Sequence, residues 1–112
     1  MAVLTSALIL SLASLIHTSN LECHTIRYFK AGCFADYSHD RTMEEYHGSH
    51  SIEDCMRLSS SKGYKAFGIQ YGNECWTGAK AHLNYRKHGT HNNCANGKGG
   101  SWSNYVYIVD DE

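Results

Sequence analysis

The side chains with the widest chemical repertoire in this chain are its cysteines, histidines and carboxylates, and their spacing limits what they can do. Five cysteines, Cys23, Cys33, Cys55, Cys75 and Cys94, are spread along the sequence. No C-x-x-C or C-x-x-H pair occurs, which argues against zinc ligation and a dithiol redox centre and leaves cross-linking as their use. Cys23 is the odd member; without it four cysteines remain, with three possible pairings. His24, His39, His47, His50, His82, His88 and His91 show neither H-E-x-x-H nor H-x-H spacing. They read as exposed loop side chains, and no metal site is expected. Asp36, Asp40, Glu44 and Glu45 follow no EF-hand pattern and read as solvated loop carboxylates, not as a glycosidase pair. Ser59, Ser60 and Ser61 lack a G-x-S-x-G context. With no nucleophile beside a base, the expectation is a protein that is not an enzyme and needs no cofactor.

What remains is recognition by aromatic rings. The chain has 8 tyrosines and 2 tryptophans in 112 residues, more than one helix and a thin sheet can bury. Amphipathic rings beside Asn and Asp suit stacking on carbohydrate or contact with proteins. Trp76 and Trp102 are expected in the core, flanking the disulfides. Tyr71, Asn84, Tyr85, Arg86 and Tyr105 are the expected ligand surface. No N-x-S/T sequon occurs. Ten Lys and Arg against 11 Asp and Glu give no electrostatic footprint for nucleic acid.

The compartment follows from the first segment. Residues 1–19 open with MAVLTSALILSLASLI, too short for a membrane span of about 20 residues and suited to a signal peptide. Residues 24–109 then form a single module, followed by the acidic tail 110–112. Its expected location is extracellular, without a membrane partner once the signal is cleaved. A secreted domain of this size usually adds disulfides to a modest core.

The elements that must position these residues give an α+β class: one main helix packed on a small antiparallel sheet. Ser51 is an N-cap before Ile52, Cys55, Met56 and Ser59, which recur at helical spacing, and Gly63 closes the segment. Lys65 to Tyr71 alternates as a strand, Gly72-Asn73 is a turn, and Glu74 to Thr77 returns as a hairpin. Further strands are expected at Asn104 to Val109 and Ile26 to Phe34, with a short helix within Ala79 to Lys87 and a glycine loop at Gly97 to Gly100. A helix lying across the hairpin would bring Cys55 to Cys75, and Cys33 is expected to pair with Cys94.

The run Gly32-Cys33-Phe34-x-Asp36, then Arg41, Cys55 and Gly63-Tyr64-x-x-Phe67-Gly68-Ile69-Gln70-Tyr71-Gly72-Asn73-Glu74-Cys75-x-x-Gly78, resembles the WSC-type cysteine-rich module. More loosely it is similar to the PAN/apple group, in which one helix crosses a small antiparallel sheet. The closing Gly99-Gly100-x-Trp102-x-Asn104-x-Val106-Tyr107 is similar to a stand-alone variant in secreted proteins of marine invertebrates. WSC modules normally carry more cysteines, and Trp76-Thr77-Gly78 stands where the family has a second cysteine in a C-x-C step. The resemblance implies carbohydrate binding, with extracellular glycans or matrix proteins as partners. With the Gly/Tyr-rich composition, it implies a structural or interaction component of an extracellular matrix, of the biomineral (shell) type. The alternatives are a soluble lectin-like or defence protein, and a small secreted toxin or inhibitor.

Overall fold

The computed structural model describes residues 25–111; the expected signal peptide 1–19, Cys23, His24 and the end of the acidic tail lie outside the described residues. Five strands and two short helices follow in the order β1 (Ile26–Ala35), β2 (Glu45–Ser49), α1 (Ile52–Ser61), β3 (Ala66–Gln70), β4 (Glu74–Thr77), α2 (Ala81–Asn84) and β5 (Ser103–Asp111). The strands make one sheet in the order β1-β5-β3-β4-β2, and each neighbouring pair is antiparallel. The expectation of one main helix is corrected here. The sheet dominates, with α1 of 10 residues and α2 of 4. Strand β2 was not expected, because Glu45-Tyr46-His47-Gly48-Ser49 has no apolar alternation and its pairing shifts register between Tyr46 and Ser49.

Local chemistry fixes the helix and the hairpin. The extended backbone of Ser51 lets its Oγ accept from the amide of Asp54 at 3.1 Å, while Glu53 and Asp54 occupy the first turn where the helix dipole favours acids. At the other end Gly63 takes φ +73°, and the amides of Gly63 and Tyr64 donate to Ser60 O and Ser59 O. Strand β3 sits at the centre of the sheet with all five residues buried. Its side chains alternate between two cores. On the α1 side Phe67 and Ile69 join Cys55, Met56, Cys75, Tyr107 and Val109. On the opposite face Ala66 joins Phe34, Met43, Ala81 and Val106.

Two bridges tie these layers. Cys55–Cys75 joins α1 to β4 across 20 residues, and Cys33–Cys94 joins β1 to the segment ahead of β5 across 61. In the chain-entropy picture the first contributes about 3 kcal/mol and the second about 4 kcal/mol through the unfolded state. Between the layers the Phe67 and Tyr107 rings stack at 5.0 Å, with Tyr28 edge-on to both. The Tyr107 hydroxyl donates to Gly97 O at 2.6 Å, and burial pushes its phenol up to about 12.

Candidate functional site

The site grows from a buried carboxylate on the sheet face away from α1. Asp36 follows β1 directly and is fully buried, which overturns its reading as a solvated loop acid. Water is replaced by protein donors: Oδ1 accepts from the Thr42 amide at 3.0 Å, and Oδ2 from Arg41 Nη1 at 2.9 Å and Gln70 Nε2 at 3.0 Å. Gln70 Nε2 also reaches Asn104 Oδ1 at 3.3 Å. Room for Asn104 exists because residue 68 is glycine; a Cβ there would stand 2.7 Å from Asn104 Oδ1. The other carboxylates behave differently. Asp40 is exposed and paired with Lys87 at 2.7 Å, whose hydrogen bond holds its carboxyl below the usual range. Glu45 accepts from the Tyr64 hydroxyl at 2.5 Å, which lowers its pKa, and pairs with Lys62 at 3.2 Å.

Fixed by Asp36, the Arg41 guanidinium lies 4.0 Å from the Trp76 ring centre and 5.0 Å from that of Trp102. The expectation that both tryptophans are core rings flanking the disulfides is corrected in part: Trp76 is half-buried against the second core but on the face away from the Cys55–Cys75 bridge, and Trp102 is exposed. Strand alternation supplies the reason for Trp76: Cys75 points to α1, so its neighbour must face the other way. Trp102 is 45% exposed, held outward by a left-handed backbone at φ +55°. Tyr71, also exposed, has φ +48°. Bulky residues rarely adopt this region and keep it only where the surroundings impose it. Here the glycine loop imposes it. Gly99 and Gly100 carbonyls accept from the amides of Gly72 and Tyr71 at 2.8 and 3.0 Å. Gly99 itself is wedged so closely that a Cβ would fall 1.9 Å from Ser103 O.

Between these parts opens a cleft of about 240 Å³ lined by Arg41, Gln70, Tyr71, Glu74, Ser101 and Trp102. Arg41 donates to protein only through Nη1 among the described residues. Glu74 accepts from Trp76 Nε1 at 3.2 Å through one of its two oxygens. Aromatic faces, outward N–H donors and a carboxylate acceptor thus meet at one opening.

Of the expected ligand surface, only Tyr71 lines this cleft. Tyr85 packs on the second core, edge-on to Phe34 at 5.0 Å, with Arg86 5.2 Å above its ring and Asn84 ending α2. Tyr105 is half-buried beside the α1-side core. Arg41, Gln70, Glu74 and Ser101 were not foreseen as site residues. The available signals were Arg41 in its motif and the alternation of β4. Among the histidines, His47 sits in β2 with Nε2 2.6 Å from Thr77 Oγ1, and burial lowers its pKa, aided by Lys62. Among the described residues no group of three or more His, Cys, Asp or Glu is placed to hold a metal ion.

The sequence model of the WSC domain matches residues 30–103, from β1 to the start of β5. That stretch contains every residue of the cleft. No curated protein matches the chain.

Proposed function

Because the chain belongs to the WSC domain family, we propose that it is an extracellular module that binds carbohydrate in the cleft between Arg41, Glu74, Tyr71 and Trp102. One observation carries this reading: the two most outward rings at the cleft are the two aromatic residues held in left-handed backbone. A sugar offers an apolar C–H face and a rim of hydroxyls. Trp102 and Tyr71 supply apolar surface for the first, while Arg41, Glu74 and Ser101 supply donors and acceptors for the second. The disulfides fit an oxidising compartment, and no described helix is long and apolar enough to cross a membrane.

We read the module as non-catalytic. Glu74 is the only carboxylate in the cleft lining, whereas sugar hydrolysis ordinarily needs two. Residence in an insoluble extracellular matrix, mineralised or not, is the narrower form of the proposal; retention through denaturant extraction of the tissue supports it, and free solubility refutes it. Nothing in the cleft favours a toxin, inhibitor or defence role. The direct test is a glycan array probed with oxidised protein and with a Trp102→Ala variant of unchanged melting temperature. Binding that the variant loses is expected; an array without binding overturns the proposal.

A further inference from the structure

We infer that the ligand is an extended neutral polysaccharide chain, which leaves the cleft across Arg41 and Trp76 and ends on Tyr46 of the edge strand β2. The inference rests on the carbohydrate reading and deepens it. Tyr46 is the register partner of Trp76, so both rings stand on the sheet face that carries the cleft. Their centres are 5.1 Å apart with planes tilted 38°, and Tyr46 remains 55% exposed. Trp76 contacts the Arg41 guanidinium, which contacts Trp102. The series therefore runs unbroken from the cleft to the edge of the sheet.

The contacts set its direction and length. Tyr46 and Trp76 share one row across the sheet with Gly68 and Val106, whereas Trp102 stands four residues along from Val106, so the series runs obliquely from Trp102 through Arg41 to that row. Its steps of 5.0, 4.0 and 5.1 Å reach at most about 14 Å from end to end. One pyranose ring is too short to touch both ends. Each step is comparable with the length of one sugar unit in a chain, so successive units can meet successive members of the series.

Charge indicates which chains fit. Arg41 is the only cation in the series and is already paired with Asp36. Glu74 adds a carboxylate at the cleft. Binding of sulfated or uronic chains relies on surplus Arg or Lys, and neither the series nor the cleft lining supplies any beyond Arg41. Neutral hydroxyls find both donors and acceptors here.

The test is titration of the oxidised protein with a graded length series of neutral glucose-, xylose- and N-acetylglucosamine-based oligosaccharides, alongside sulfated and uronic chains. Affinity should rise with length until the chain spans to Tyr46, then level off. Tyr46→Ala should weaken the longest ligands about tenfold and leave the shortest unchanged, while Tyr46→Phe keeps the wild-type profile. An unaltered melting temperature confirms that Tyr46→Ala is folded. Affinity independent of length, or long-chain binding indifferent to Tyr46→Ala, overturns the extended site while sparing the cleft. Preference for anionic chains overturns the neutral class. Absence of binding to every oligosaccharide defeats the carbohydrate reading itself.

Discussion

Replacing Arg41 by alanine removes one side chain from an ion pair, a hydrogen bond and two ring contacts at once. Asp36 would keep its bonds from Thr42 and Gln70 but lose its counter-charge while fully buried. Removing one partner of a fully buried pair costs about 3–5 kcal/mol. The Arg41 side chain is 24% exposed, so water screens part of the interaction, and about 2–3 kcal/mol is the reasonable share. Losing the cation from beside Trp76 and Trp102 adds roughly 0.5–1 kcal/mol. A total near 3 kcal/mol is a large part of the 5–15 kcal/mol, roughly, that holds a small domain together. Urea unfolding of the oxidised protein, with a slope of about 1–1.5 kcal/mol/M, should show the midpoint falling by roughly 2–3 M at unchanged slope. A double-mutant cycle with Asp36→Asn, which removes the charge at nearly constant shape, isolates the pair and should give about 2 kcal/mol of coupling. A cost below about 1 kcal/mol, or an additive cycle, would show that Thr42 and Gln70 suffice for Asp36 and that Arg41 is not fixed as argued.

Gly68→Ala should cost about 1–3 kcal/mol in urea unfolding, since its Cβ meets the Asn104 side chain at 2.8 Å or less. Gly99→Ala should cost more, because its Cβ would meet the backbone oxygens of Ser103 and Ile69, at 1.9 and 2.5 Å. Replacing both Cys33 and Cys94 by serine should lower stability by about 4 kcal/mol, and the Cys55/Cys75 pair by about 3 kcal/mol; calorimetry showing the reverse order would contradict the loop-length argument. The Tyr107 phenol, raised by burial to about 12, stays protonated in the folded state after it would ionise in the unfolded one. Its stabilisation is whole below about pH 10 and is lost as pH rises towards 12, so tyrosinate absorbance and unfolding should move together there and separate in Tyr107→Phe. At the acid end the lowered pKa of His47 means that the unfolded chain takes up its proton first; stability should fall as pH drops below about 6.5, less so in His47→Gln.

The elements written plainly in the sequence are those whose cause is local. Ser51 and Gly63 bracket α1, and Gly72 marks the β3–β4 turn, because capping and turn chemistry act within a few residues. The site itself was less legible. Its side chains come from the segment after β1, from β3 and β4, and from the turn before β5, and only the strand order brings these together. Trp102 looked like core because a large ring usually is; its outward direction depends on a left-handed dihedral in the turn closed by the Ser103 amide on Gly100 O, a conformation that its residue type does not announce. Asp36 looked solvated because the donors that replace its water lie 5, 6 and 34 residues away. Trp76 was within reach of sequence reasoning, since placing Cys75 on the helix side already assigns its neighbour to the opposite face. Strand β2 carries too little pattern to announce itself and exists through its partner β4.

The bridge from Cys33 to Cys94 has a bearing beyond stability. Cys94 begins the segment that runs through Gly99 and Gly100 to Trp102, and this segment props Tyr71 as well. A newly made copy with this one bond still open would lack the covalent tether of the very loop that forms one wall of the cleft. If the cleft binds carbohydrate as proposed, its shape would depend on completed oxidation, and a copy held in a reducing environment would lose the anchor of the cleft wall together with the stability of the bridge.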